Sequence, residues 1–208
     1  MKNLEIGKVV CVGRNYADHA KELGNEVPSQ PILFMKPASA VVSINEAIQL
    51  PDFGGEVHFE AELCVQVGKD LVNASMDEVK TAINAVTLGL DLTLRDLQTK
   101  LKSKGHPWER SKAFAGSCVL ADWVSPNGFG DLTQVHYQLF MNDECKQDGD
   151  TALMLFPIYE LLVDISKAFG LQAGDVVMTG TPKGVGKITA GDKLTLVLDE
   201  HRWATEVC

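Results

Sequence analysis

Residues 56–68 read EVHFEAELCVQVG, and the rest of the chain is read outward from them. The β-branched and aromatic content predicts one long strand over 57–68. Alternate side chains of a strand share a face, so Glu60 and Glu62 point the same way, with His58 beside them. Two adjacent carboxylates repel. On a covered face a divalent cation offsets that repulsion, and hard oxygen ligands suit magnesium, manganese or calcium. On a solvated edge strand the same acids need no metal. The strand by itself leaves both readings open.

A third carboxylate follows. The apolar run 85–92 predicts a strand that brings Asp91 near its end, and three carboxylates with waters make a magnesium-like site. A helix over 94–104 comes next, with Thr93-x-x-Asp96 as its cap signal, Leu94, Leu97 and Leu101 on its apolar side and Gly105 as its stop. Arg95 and Gln98 lie at i and i+3 on it, just past Asp91. An arginine and an amide beside a metal suit a carboxylate ligand; an arginine paired with Asp96 on a solvated helix face is the plainer alternative.

Upstream, Lys8 to Gly13 reads as a strand followed by a short helix over 15–23. His19 and Glu22 stand at i and i+3 on that helix, which lets a carboxylate orient an imidazole and raise its basicity, although exposed pairs of this kind are also ordinary surface. Lys112 precedes the small, apolar stretch 113–116, a setting for a desolvated ammonium that stabilises an oxyanion, or for a plain surface lysine. Gly180 to Lys187 has the look of a phosphate loop, but Gly180 and Gly186 are six positions apart rather than five and residue 188 is Ile. The loop fails as a nucleotide cradle. It remains a tight turn, or a turn whose amides and Thr181 hydroxyl hold a ligand carboxylate.

Elsewhere the pattern predicts strands at 32–35 and 40–44 broken by Lys36-Pro37, and a Ser75-x-x-Glu78 capping box. It predicts strands at 117–123 and 135–141, the second entering a turn at Asn142-Asp143, and an amphipathic helix over 157–169 opened by proline and closed by Gly170. Three further strands follow at 176–179, 193–198 and 203–207. Strands and helices do not alternate regularly, so a doubly wound parallel sheet is excluded and a strand-rich α+β fold with a few short helices is predicted.

Composition bounds the function. The chain has 208 residues, 45% apolar and 23% charged, with a mean hydropathy of 0.00, the balance of one globular domain spanning 1–208. Its 28 acids outweigh 19 bases for a net charge of -9, and no basic block could track a phosphate backbone, so nucleic acid is not an expected partner. No apolar run approaches the roughly 18 residues of a membrane span, and the N-terminus lacks a leader pattern, so no membrane association and a cytoplasmic location are expected. Five scattered cysteines without a Cys-x-x-Cys pair suggest neither a disulfide framework nor a thiolate zinc site.

Six ordered motifs resemble the fumarylacetoacetate hydrolase superfamily, in particular its small single-domain members acting on acylpyruvates and oxaloacetate. They are VVCVGRNYADHAKE at 9–22, ILFMKP at 32–37, EVHFEAELCVQVG at 56–68, LGLDLTLRDLQ at 88–98, PWERSKAFAGSC at 107–118 and VVMTGTPKGVG at 176–186. The resemblance implies a mixed β-sandwich roll, a homodimer, and one divalent cation, Mg2+ or Mn2+ with Ca2+ as a further candidate, held by Glu60, Glu62 and Asp91. It implies that His19 and Glu22 form a dyad on a helix that orders over the ligand. Arg95, Gln98, Lys112 and Thr181 match the groups holding a small 2-oxo acid, and Arg14 and Tyr16 lie in the first motif as further substrate contacts. One departure is that Phe59, not histidine, directly precedes the first metal glutamate. The implied chemistry runs through a metal-stabilised C2 enolate: C–C hydrolysis of acylpyruvates, oxaloacetate decarboxylation, or, as alternatives, oxaloacetate tautomerisation and the isomerase and hydratase reactions of 2-hydroxy-dienedioates and 2-oxo-dienoates.

Overall fold

In the computed structural model, which describes residues 1–208, the predicted long strand over 57–68 is two strands with Glu60 between them. The chain runs β1 (Lys8–Gly13), α1 (Ala17–Glu22), β2 (Ile32–Pro37), β3 (Val41–Ser43), β4 (Val57–Phe59), β5 (Ala61–Val67), α2 (Met76–Lys80), β6 (Ile83–Asp91), β7 (Thr93–Leu94), α3 (Arg95–Ser103) and α4 (Glu109–Lys112). It continues through β8 (Cys118–Leu120), β9 (His136–Met141), β10 (Glu144–Asp150), α5 (Ile158–Ala168), β11 (Val176–Met178), β12 (Gly186–Lys187), β13 (Lys193–Leu198) and β14 (His201–Glu206).

Three sheets result. A seven-stranded sheet has the order β2-β1-β11-β5-β6-β8-β3, with β1·β11 and β3·β8 parallel and the other pairs antiparallel. A four-stranded sheet runs β10-β9-β13-β14, and a small one runs β12-β4-β7. The architecture is the predicted strand-rich α+β roll. β5 and β6 pair along most of their length in the large sheet, while their extensions β4 and β7 pair in the small one. Both strands therefore change sheet at the same level: one at Glu60, the other just after Asp91. Their divergence opens a corner, and the acids stand in it.

The core explains the arrangement. Forty buried residues form one apolar cluster between the sheets, joined by Ile158, Leu161, Leu162 and Ile165 of α5 at the spacing of one helix face. A second cluster of eight, including Val9, Cys11, Phe34, Cys64 and Met178, covers the other face of the seven-stranded sheet.

Several local expectations change. β2 runs through Lys36 and Pro37, which pair with Val9 and Lys8; as an edge strand it tolerates proline, and the break falls at the 3-10 turn Ala38–Ala40. The Ser75 capping box forms as predicted. The Thr93-x-x-Asp96 cap does not form: Leu94 is the N-cap, Thr93 Oγ1 donates to the Asp91 carbonyl, and Asp96 accepts from Glu56 N. Asn142 and Asp143 both have positive φ, 52° and 66°, and turn β9 back into β10, a polar return strand that its composition had concealed.

Candidate active site

Glu60, Glu62 and Asp91 are all buried, and each presents a carboxylate oxygen within 4.8 Å of the others. The solvated-edge reading of these acids is thereby overturned. Lys112 is no surface lysine either. The short helix α4 turns it inward, 3% exposed, with Nζ 2.7 Å from Glu60 Oε2 and 2.6 Å from Asp91 Oδ2. Arg95 pairs with the other Glu60 oxygen, not with Asp96, and donates to Gln98 Oε1 at 2.7 Å.

These contacts set the charges. Burial works against an ionised Glu60, but Lys112 and Arg95 hold its carboxyl well below the usual range. Glu62 goes the other way: burial and the Asp91 charge push it up, against the opposing Gly180 N–H, 2.7 Å from Oε2, and the more distant Lys112 charge. Burial disfavours the Lys112 ammonium, yet Asp91 and Glu60 keep it protonated above the ordinary lysine range. Asp91 Oδ1 faces the Lys36 ammonium at 2.8 Å. Three buried carboxylates converging within 4.8 Å, an all-oxygen donor set, fit a hard divalent cation.

The cavity at this corner holds about 30 Å³, room for an ion and a water or two rather than a four-carbon acid. His19, Thr181, Gln98 and Phe34 line it alongside the acids, and half-buried Arg14, Asn25, Lys102 and Trp108 rim it. A broader groove of about 760 Å³ between Phe129 and Asp199 lies elsewhere and contains none of these groups. His19 Nδ1 meets Glu22 Oε2 at 3.2 Å, and Glu22 also accepts from Gly184 N at 3.0 Å. The dyad is thus tied to the 180–187 turn, and an Asp18–Lys183 ion pair at 3.1 Å adds to the tie.

One expectation for that turn is corrected. The Gly180 and Gly184 amides serve Glu62 and Glu22 instead of standing open to a ligand. Both glycines have positive φ, and a Cβ would lie 2.5 Å from Asn15 Cβ at Gly180 and 2.0 Å from the Lys146 carbonyl at Gly184. Tyr16 is also displaced from its expected role: its hydroxyl meets Tyr137 Oη at 3.1 Å in the core, and it does not line the cavity. His58 lies outside the cavity too, with Nε2 3.6 Å from Glu56.

The model of the fumarylacetoacetate (FAA) hydrolase C-terminal family matches residues 8–204. The chain belongs to this family. Oxaloacetate tautomerase YcgM of Escherichia coli (strain K12) is 45% identical over 203 residues, covering 97% of this chain and 93% of that protein. The mitochondrial oxaloacetate tautomerase of Homo sapiens is 38% identical over 191 residues, covering 91% and 86%. Among solved structures, fumarylpyruvate hydrolase from Pseudomonas aeruginosa in complex with Mn2+ and pyruvate superposes with a TM-score of 0.92 at 32% identity, covering 97% of this chain and 89% of that one. These relatives are enzymes, and the manganese complex supports a divalent cation in this fumarylacetoacetate hydrolase family member as well.

Three residues at the family site were passed over in the sequence. Lys36, fully buried, stands behind Asp91. Gln147, at a bulge in β10, accepts from Ala61 N and donates to Thr181 Oγ1, each at 2.8 Å, linking the four-stranded sheet to the corner. Lys102 follows Arg95 and Gln98 at i+7 and i+4 and completes their helix face. A lysine inside the apolar run ILFMKP was the available signal for the first. The other two sit in polar segments that carry none.

Proposed function

We propose that this protein is a divalent-cation-dependent enzyme of small 2-oxo acids, working through the C2 enolate, with oxaloacetate keto-enol exchange as its leading reaction. The buried Glu60–Glu62–Asp91 triad carries the proposal, and relatives named as oxaloacetate tautomerases support the choice of substrate. A bound Mg2+ or Mn2+, or Ca2+ in principle, supplies Lewis acidity toward the C1 carboxylate and C2 oxygen of such an acid. Arg95, Gln98 and Thr181 orient the acid, and Lys112 stabilises negative charge that develops on the C2 oxygen. His19, its Nδ1 on Glu22, keeps Nε2 to move a proton at C3. His19 is carried on α1, so an outward movement of that helix would open the narrow cavity to the acid.

Hydrolytic cleavage of an acylpyruvate is the second reading, favoured by the same dyad, which could activate water against a C4 ketone. One preparation separates the two. Magnesium-loaded protein is assayed with oxaloacetate enol, oxaloacetate ketone and acetylpyruvate. Acceleration of enol loss without cleavage supports tautomerisation, pyruvate and acetate from acetylpyruvate support hydrolysis, and no effect on any of them overturns both.

We read residues 1–208 as one catalytic domain and the assembly as a homodimer in the cytoplasm. No helix is long and apolar enough to cross a membrane. Exposed Met35 and Phe53 border an open groove that also includes Leu97 and Phe114, apolar surface available to a second copy. Light scattering at micromolar protein and moderate salt tests the dimer, and a monomeric mass refutes it.

A further inference from the structure

The geometry points to Arg14 and Lys102 as the residues that read a second carboxylate on the substrate, at C4. This rests on the 2-oxo acid reading of the site. It makes four-carbon 2-oxo dicarboxylates the preferred class over neutral acylpyruvates.

A charge inventory of the cavity leads there. Arg95 and Lys112 are engaged by Glu60 and Asp91. Arg14 and Lys102 line the same cavity, and no carboxylate of the chain pairs with either. The triad lies at the buried end, whereas these two cations are half-buried at the rim. A substrate whose C1 and C2 face the triad therefore presents its far end to them.

Both residues line that end of the cavity. Arg14 adopts a left-handed φ of 59°, rare for a residue with a Cβ, in the turn between β1 and α1. Lys102 projects from the Arg95–Gln98 face of α3, with Nζ 6.0 Å from the Trp108 ring centroid and donating to Asn25 Oδ1 at 3.0 Å. Partial burial and the charges of Arg14 and Arg95 depress the Lys102 pKa, with Glu60 opposing them only in part. A substrate carboxylate supplies a counter-anion.

The arrangement also bears on which reaction runs. Decarboxylation breaks the C3–C4 bond, sends its electron pair to C3 and releases the C4 carboxylate as neutral carbon dioxide. Two cations on that carboxylate stabilise the anion that must vanish. Enol-keto exchange moves a proton between C3 and the C2 oxygen and leaves the C4 charge intact, so the pair favours tautomerisation.

Unreactive 2-hydroxy acids test the subsite by calorimetry on metal-loaded protein. Malate carries the C4 carboxylate, lactate lacks it, and oxalate chelates without a far end. Malate is expected to bind about 10 to 100 times more tightly than lactate, the span of a charge-assisted contact. Lys102→Met and Arg14→Met should each bring the ratio toward one and leave oxalate affinity unchanged, and Lys102→Arg should retain the preference. Equal binding of malate and lactate by the parent, or equal loss of all three acids in the variants, overturns the subsite alone. Failure of oxalate to bind the metal-loaded parent overturns the 2-oxo acid reading and the subsite with it.

Discussion

Lys36 Nζ lies 2.8 Å from Asp91 Oδ1, a fully buried ion pair behind the carboxylate triad. The same ammonium donates to the Lys112 and Ser117 carbonyls and to Ser117 Oγ, which hold it in place. Asp91 therefore has a fixed positive charge beside it. Lys36→Met removes that charge from a buried carboxylate and is expected to destabilise the metal-free protein by about 3 kcal/mol. A divalent cation should then restore more stability to the variant than to the parent. Thermal melts with and without magnesium check this, and equal metal-dependent shifts in the two proteins would refute it.

Glu62 stands apart from the other two acids because no cation of the chain pairs with it; its one partner is the Gly180 N–H. Glutamine can accept the same bond, so Glu62→Gln should fold normally. Magnesium or manganese affinity should fall by more than the roughly 10 to 100-fold typical of losing a residue that merely supports a ligand. Activity should disappear with it. Unchanged calorimetric affinity in a folded variant removes Glu62 from the metal site.

The Tyr16–Tyr137 contact predicts stability effects without kinetic ones. Tyr16→Phe leaves the buried Tyr137 hydroxyl short of a partner, at a cost of about 1 to 2 kcal/mol. KM for a 2-oxo acid should stay within about twofold of the parent, since neither ring reaches the cavity. Denaturant titration and steady-state kinetics on one preparation decide it. A large rise in KM with unchanged stability would return Tyr16 to the substrate.

How much of this was legible in the sequence depended on whether a signal was local. Paired acids two apart, an Asp closing an apolar strand and an i, i+3 dyad are local patterns, and the corner between the sheets brings Glu60, Glu62, Asp91 and His19 to one cavity. Glu60 is instructive, because residue alternation predicts one continuous strand whereas the chain changes sheet there. The acids converge because β4 and β5 diverge, a tertiary fact that alternation cannot reveal. Gln147 carries no local signal because its partner Thr181 is 34 positions away, and Lys36, conspicuous in an apolar run, gives no hint of an Asp91 that is 55 positions on. Tyr16 erred in the opposite direction. Its place in a motif near His19 suggested a ligand contact, but Tyr16 is the extended N-cap residue of α1 and points into the core, whereas His19 within the helix lines the cavity.

The His19–Glu22 dyad yields the prediction that best separates the candidate reactions. His19 is 5% exposed and lines the cavity, while Glu22 shares its carboxylate between the imidazole and the Gly184 amide. That arrangement fixes the ring and leaves Nε2 as the proton-carrying atom. Hydrolysis of an acylpyruvate needs a base to activate water, whereas decarboxylation needs mainly charge stabilisation at C2. His19→Ala should lower acylpyruvate cleavage by about 100-fold or more if the parent performs it, slow enol-keto exchange, and leave spontaneous or metal-promoted decarboxylation nearly as it was. Magnesium and oxalate affinity should hold, because the imidazole hydrogen-bonds to Glu22 and to none of the three acids. Glu22→Gln should give a smaller loss, since the amide can still accept from Gly184 but no longer supports a charged imidazole. If His19→Ala turns over every 2-oxo acid at the parent rate, the dyad serves only to fasten α1 to the 180–187 turn.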